Sequence, residues 1–262
     1  MSARRKIAWA LLAPVSRTAA FVARLKCRLP AGRDRAELVH VIGDSHVALF
    51  SGRDAMTPAW PQRSVDTLPG FRTFRLGSVL AYRLPDWGTT THGREKLLLL
   101  LAYGSPPPRA RILLCFGEID CRYHLLRQAE RTGRPIDDVV AECVERYATV
   151  VREVARMGFR TAVWGVVPAN AVEPREGDPE YPYWGTAAQR NQVALAFNSM
   201  LAQVLLPDGI PVAKVADFLP GAGAPLDPRY FMDDVHLSQQ VRTAAVQAVG
   251  TAFEPVPRRS SP

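Results

Sequence analysis

Short apolar runs alternate along this chain with longer runs of helical period. The segments LVHVIG (38–43), FRTFRLG (71–77), RILLCFG (111–117), RTAVWGVVP (160–168) and IPVAKVADF (210–218) are rich in Val, Ile, Leu and Phe and are bounded by Gly or Pro. That is the signature of short buried strands. FRTFRLG alternates apolar with basic positions, which predicts an edge strand. Between these runs, GREKLLLLLAYG (93–104) is apolar nearly all round and predicts a buried helix. IDDVVAECVERYATVVREVARMG (136–158) repeats apolar residues every three or four positions, with Asp137 and Asp138 at its positive end and Gly158 closing it. TAAQRNQVALAFNSMLAQVL (186–205) and LSQQVRTAAVQAVGTAF (237–253) complete the helices, the last with Ser238 as N-cap.

Strand–helix alternation of this length implies an α/β fold with a five-stranded parallel sheet covered on both faces. Ligands of such sheets bind outside the carboxyl ends of the strands. The first strand runs out into Gly43-Asp44-Ser45-His46, so Ser45 is expected at such an edge. The loop PANAVEPREGDPEYPYWG (168–185) follows the fourth strand and is expected to line or cover the same edge, while the proline-rich GSPPPRAR (104–111) is a stiff entry to the third.

Charge changes the picture only at one end. The formal net charge is +8. Residues 1–33 hold eight basic residues, Arg4, Arg5, Lys6, Arg17, Arg24, Lys26, Arg28 and Arg33, and the first acidic residue is Asp34. The rest of the chain carries 25 basic and 25 acidic residues, so it is neutral and exerts no pull on nucleic acid or other polyanions. The organisation expected is a basic amphipathic arm (1–36), a catalytic-type domain (37–254) and a disordered tail (255–262). Pro14, Arg17, Arg24 and Lys26 interrupt the arm in a way a secretory signal would not. It reads instead as a segment resting on an anionic membrane face or on the body of the protein, or as a frayed extension. Four cysteines, Cys27, Cys115, Cys121 and Cys143, lack metal-ligand spacing and suggest no disulfide framework. No metal or cofactor is expected, and a reducing, cytoplasmic setting with peripheral contact at the inner membrane is favoured over secretion.

A serine hydroxyl is a poor nucleophile unless a base takes its proton, and the base needs a third group to fix its tautomer. Of five histidines, His40 lies inside a strand and is expected to be packed. His236, in FMDDVHLSQQ, stands between the fifth strand and the last helix, with Asp233 three residues before it. Asp233 can take the Nδ1 proton of His236 and leave Nε2 to face Ser45. Taken singly these are weak signals; a helix cap is the bland reading of Ser45. Their joint placement on one sheet edge is what raises them.

With GDSH at 43–46, LG at 76–77, FGEID at 116–120 and DDVHLS at 233–238, in that order, the chain resembles the SGNH hydrolases, the GDSL-like lipase/acylhydrolase superfamily, from residue 38 to about 250. RLGSVLAYRL followed by CFGEIDCRYHL looks like a bacterial branch associated with surface polysaccharides. The resemblance implies a flavodoxin-like three-layer α/β/α sandwich and hydrolysis of esters, often O-acetyl groups on carbohydrate, without metal or cofactor. An O-acyltransferase using the same site, or a glycan-binding or assembly protein without turnover, stands beside that reading. Ser45 matches the nucleophile, His236 the base and Asp233 its orienting group. The N–H groups of Ser45 and Gly77 match two donors of the oxyanion hole. The third donor, an asparagine side chain, is replaced by Ile119, which cannot donate.

Removing one such donor typically costs about 10²–10³ in rate. Either Arg122 supplies the missing donor, or the acceptor is held differently with Glu118 or Asp120 on sugar hydroxyls, or turnover is slow or absent. The candidate substrate-binding set is therefore Asp44, His46, Glu118, Asp120 and Arg122. Structural roles stay open for them: Asp44 tying down the turn, His46 capping or packing, and Glu118 and Asp120 anchoring the loop after the third strand. Tyr123 and His124 are expected at the site or on a helix face. Tyr181, Tyr183 and Trp184 are expected to stack on sugar or cover the core edge, and Asn198 to be structural.

Overall fold

A computed structural model describes residues 18–28, 38–173, 182–221 and 223–254 of the chain. Five parallel strands, β1 (Val39–Gly43), β2 (Phe71–Arg75), β3 (Arg111–Cys115), β4 (Arg160–Trp164) and β5 (Val212–Ala213), pair in the order β2-β1-β3-β4-β5. This is the doubly wound, flavodoxin-like strand order, whose direction reverses between β1 and β3. The basic-apolar β2 lies at the edge, where the Thr73 N–H donates to Asp66 Oδ2 at 3.0 Å and the Arg75 carbonyl accepts the Trp60 N–H at 2.7 Å.

The helices are α1 (18–28), α2 (Gly93–Tyr103), α3 (Leu125–Thr132), α4 (Ile136–Arg156), α5 (Ala187–Leu205) and α6 (Arg242–Phe253). Successive strand residues point to opposite faces, so each strand feeds two cores. Ile42, Ile112, Leu114 and Val163 pack with the buried leucines of α2 and with α4 and α5. Val39, Val41, Leu113, Cys115, Ala162 and Trp164 pack on the opposite side with α6 and with a 3₁₀ turn, Ser45–Ser51. The result is a three-layer sandwich.

The strands are shorter than the apolar runs that encode them; β5 has two residues where nine were expected. Beyond the ladder, runs such as Val166–Val167 stay buried but continue as loop. Two elements, a turn and α3, lay outside the sequence reading. A five-residue π-helical turn, Asp120–His124, leads directly into α3. Within the arm, α1 lies on the body: Ala19, Ala23 and Cys27 are buried in the first core, and Lys26 Nζ donates to the carbonyls of Leu101 and Gly104 at 3.2 Å. The rest of the arm and the tail lie outside the described residues. No helix among the described residues is long and apolar enough to cross a membrane.

One glycine controls the sheet at its centre. A Cβ on Gly43 would stand 2.0 Å from the Cys115 carbonyl oxygen, so β1 and β3 approach in a way only glycine allows. Gly250, in α6, has nothing within 4 Å of its Cβ position. Gly43→Ala is expected to destabilise the fold by about 2–3 kcal/mol through overpacking. Gly250→Ala should raise stability by roughly 0.5–1 kcal/mol through helix propensity. Urea denaturation at neutral pH checks both signs.

Candidate active site

Parallel register sets the site before any side chain is considered. Gly43 pairs with Arg75 on one side and Cys115 on the other. Carried two residues further, the same register places Ser45 level with Gly77 and Gly117, just past the ladder. Asp44 N–H donates to the Cys115 carbonyl at 3.0 Å, and Asp44 Oδ1 accepts the His46 N–H at 2.9 Å. This caps the Ser45–Ser51 turn and turns the Ser45 side chain up from the sheet edge. Gly52, at φ 79°, ends the turn.

His236 reaches the same edge from the connection between β5 and α6. Its loop is a narrow hairpin: Met232 N–H donates to the His236 carbonyl, and Ser238 N–H to the Tyr230 carbonyl, both at 2.8 Å. Inside it, Asp233 Oδ1 accepts the N–H groups of Val235 (2.9 Å) and His236 (2.7 Å), an Asx-type turn. The same carboxylate meets His236 Nδ1 at 2.8 Å through Oδ2, and His236 Nε2 lies 2.7 Å from Ser45 Oγ. Two segments 191 positions apart thus meet in a continuous Ser45–His236–Asp233 chain.

Residues the sequence reading passed over hold this meeting together. Gln239 N–H donates to Asp54 Oδ1 at 2.7 Å, and its side-chain amide donates to the Leu49 carbonyl at 2.8 Å. Gln239 therefore straps the start of the last helical segment to the Ser45 turn. Asn170 reaches the Asp234 carbonyl at 3.4 Å from the loop after β4. An exposed-looking Gln after an N-cap carries no sequence signal for such a role. Asn198 is structural, its side-chain amide bridging both backbone groups of Val166 at 2.7 and 2.8 Å.

Electrostatics follow from burial. Burial lowers the His236 pKa, opposed by its hydrogen bond to Asp233, and the net position is below the ordinary histidine value. Burial raises Asp233, but the His236 bond and charge outweigh it and leave it depressed. The pair therefore favours a neutral imidazole beside an ionised carboxylate. His40, buried in β1, is pushed down to about 4, chiefly by desolvation, and is packed as expected.

The carboxylates proposed for substrate sort differently. Asp120 is fully buried, and its oxygens accept the N–H groups of Ala81 (2.7 Å) and Tyr82 (3.2 Å). It anchors the loop after β2 and does not face a ligand, which corrects that expectation. Asp44 is likewise buried: its Oδ1 holds the cap, while its Oδ2 meets no hydrogen-bond donor among the described residues. Burial raises both to about 7. Glu118 would be raised by burial, but Arg122 and His46 outweigh that and hold it at about 2. Its oxygens lie 2.8 Å from Arg122 Nε and 3.0 Å from His46 Nε2. Arg122 Nη1 also donates to the Pro182 carbonyl. Two of its three guanidinium nitrogens, Nε and Nη1, are thereby committed. His46 stacks at 4.6 Å, tilted 35°, against His236, behind the base rather than over it. Glu118 and Arg122 still border a small cleft of about 30 Å³, with Asn170, Phe231, Asp234 and Val235.

Of the two backbone donors, Ser45 opens its turn, where first-turn N–H groups have no partner within the turn. Gly77, at φ 106°, adopts a conformation that favours glycine, and its N–H meets no acceptor among the described residues. Ile119 is half-buried and offers no donor. Tyr123 and His124 ride on the π-helical turn, with Arg127 over Tyr123 at 5.3 Å. Tyr183 lies beneath Arg190 at 4.8 Å, and Trp184 Nε1 donates to Glu130. Tyr181 lies outside the described residues. Among the described residues no group of three His, Cys, Asp or Glu side chains is placed to hold a metal ion.

The Glu118–Arg122 pair generates a test. Removing one partner leaves the other charge buried, so Glu118→Gln and Arg122→Met should each cost about 3–5 kcal/mol at pH 7, and the double variant less than their sum. Glu118 is depressed below its ordinary 4.5, so its stabilising share is present above that value and lost as pH falls toward 2. Urea melts at pH 7 and pH 3 measure both effects.

No family model and no curated protein matches the sequence. Solved structures do match. A provisionally assigned acylhydrolase from Bacteroides fragilis NCTC 9343 superposes with a TM-score of 0.50 at 15% identity, over 88% of this chain and 92% of the other. A GDSL-like lipase from Bacteroides thetaiotaomicron VPI-5482 gives 0.50 at 14% identity, over 90% and 97%. This chain shares its fold with these two proteins, one of them a GDSL-like lipase.

Proposed function

We propose that the protein is a serine esterase that removes small acyl groups, with acylated carbohydrate as the substrate class. The observation that carries the reading is the unbroken Ser45 Oγ–His236 Nε2–Asp233 chain at 2.7 and 2.8 Å. Ser45 Oγ attacks the acyl carbon as His236 Nε2 takes its proton, and Asp233 stabilises the imidazolium. The N–H groups of Ser45 and Gly77 hold the oxyanion. His236 returns the proton to the departing alcohol oxygen. Water, deprotonated by the same imidazole, then attacks the acyl-enzyme and releases the acid.

Support for a carbohydrate alcohol comes from the mixed cleft beside His236, where Phe231 and Val235 adjoin Asn170, Asp234 and Arg122. Apolar side chains set beside several polar ones suit a sugar ring, whose faces are apolar and whose edges carry hydroxyls. A neutral body adds no preference for polyanionic carriers.

Wild type should hydrolyse p-nitrophenyl acetate and react with a fluorophosphonate probe, and Ser45→Ala should do neither. Asp233→Asn should lose roughly 10³–10⁴ in kcat. Because burial depresses His236, the acid limb of kcat/KM should fall below pH 6.5, with activity lost as pH drops and the imidazole protonates. Equal hydrolysis by wild type and Ser45→Ala, without labelling, would replace this reading with a binding or assembly role.

A further inference from the structure

The oxyanion hole is one donor short, yet a cation stands directly behind it. Lys96, in the first turn of α2, extends its ammonium to the Leu76 carbonyl oxygen at 2.7 Å. The peptide group that carries this carbonyl is the one that carries the Gly77 N–H. A Cβ at Gly77 would lie 3.7 Å from the same Lys96 Nζ. A trans peptide is planar and conjugated, with C=O and N–H pointing in opposite directions. A charge-assisted hydrogen bond at the oxygen draws electron density toward it and leaves the N–H at the other end more positive.

Resting on the esterase reading, we infer that Lys96 is a positioning residue for the oxyanion hole. It polarises the Leu76–Gly77 peptide so that the Gly77 N–H becomes a stronger donor, offsetting the amide that Ile119 lacks. The ammonium does not touch the substrate. Its effect grows as negative charge develops on the acyl oxygen, so it acts on the transition state more than on substrate binding. The same contact also fixes the turn after β2, because the Leu76 N–H is tied to the Gly43 carbonyl at 2.7 Å. The hole is thus held from β1 and charged from α2.

The test separates charge from packing. Lys96→Met is expected to lower kcat for p-nitrophenyl acetate by about tenfold with KM little changed. Lys96→Cys should show the same loss. The four native cysteines are all buried, so the new thiol can be alkylated selectively. Aminoethylation with 2-bromoethylamine restores an ammonium at nearly lysine's reach and should restore most of kcat. Ethylation with iodoethane restores bulk without charge and should not. Wild-type kcat in Lys96→Met, or equal recovery with both reagents, would overturn the proposal while leaving the esterase reading intact. Absence of Ser45-dependent turnover in wild type would overturn both.

A second, independent observation concerns α1. Its inner face is built from small residues, Ala19, Ala23 and Cys27, while its largest apolar side chains point outward. Phe21 is 65% and Leu25 43% exposed, and Arg24 and Arg28 share that face at helical spacing. Lys26 is turned inward, so the exposed face combines two apolar anchors with two arginines. Residues 1–33 also hold the whole of the chain's charge excess. The geometry points to an anionic lipid surface as the occupant of this face, with Phe21 and Leu25 entering the interface and the arginines meeting headgroups. Full-length wild type should float with phosphatidylcholine vesicles containing phosphatidylglycerol, be released by salt, and stay behind with phosphatidylcholine alone. Phe21→Ser/Leu25→Ser should float less with unchanged esterase activity. Equal flotation of variant and wild type, or no preference for the anionic vesicles, would overturn it.

Discussion

The close approach of β1 and β3 at Gly43 governs everything that happens at the sheet edge. Because no Cβ stands between Gly43 and the Cys115 carbonyl, the central strands stay in parallel register to their ends. The next backbone N–H, that of Asp44, can then bond to the same carbonyl. Only from that anchored position does the Ser45 turn bring its hydroxyl to the level of Gly77. The hydroxyl, the two backbone donors and the imidazole are arranged by backbone pairing first and by side chains second. Such a site is costly to move, because shifting Ser45 means breaking a ladder at the centre of the sheet.

Beneath the edge, the protein buries more titratable groups than the proposed chemistry uses. Asp44, Glu118, Asp120, Arg122, His46 and His236 are all nearly inaccessible. Buried charge is tolerated where each group has partners, and these do: backbone N–H groups for the two aspartates, Arg122 and His46 for Glu118. The network ties the loops after β1, β2 and β3 to one another and, through the Pro182 carbonyl, to the chain entering α5. A polar foundation of this kind fixes loop positions that an apolar one would leave free to slide. It also surrounds His236 with groups of both signs, so burial decides the direction of its shift and Asp233 limits it.

The face behind the glycine donor is served from a different layer. α2 is buried along nearly its whole length, and one of its two long cations, Lys96, is directed at the carbonyl of Leu76, just before Gly77. A helix that is otherwise core thereby contributes an electrostatic contact to the edge of the sheet. At the other end of the charge distribution, α1 uses small residues to sit on the body and leaves its large ones outside. Packing alone would favour the opposite choice.

The sequence by itself determined the layer architecture, because strand and helix periods are local and five apolar runs alternating with amphipathic ones admit few folds. It also marked Ser45, Asp233 and His236, since a polar cluster at the end of an apolar run and an Asp three residues before a His are both visible along the chain. What it left undecided was how each polar side chain is spent. Glu118, Asp120 and Arg122 look alike as candidates for a ligand. Only the folded positions show Asp120 bonded to Ala81 and Tyr82, and Arg122 to Pro182, because those partners lie tens of residues away. Lys96 and Gln239 gave no signal at all, for the same reason: a cation in a leucine-rich helix and a Gln after a cap acquire meaning only when a distant carbonyl is brought within 3 Å. Period and motif are properties of neighbours in sequence, while the distribution of hydrogen bonds is a property of neighbours in space.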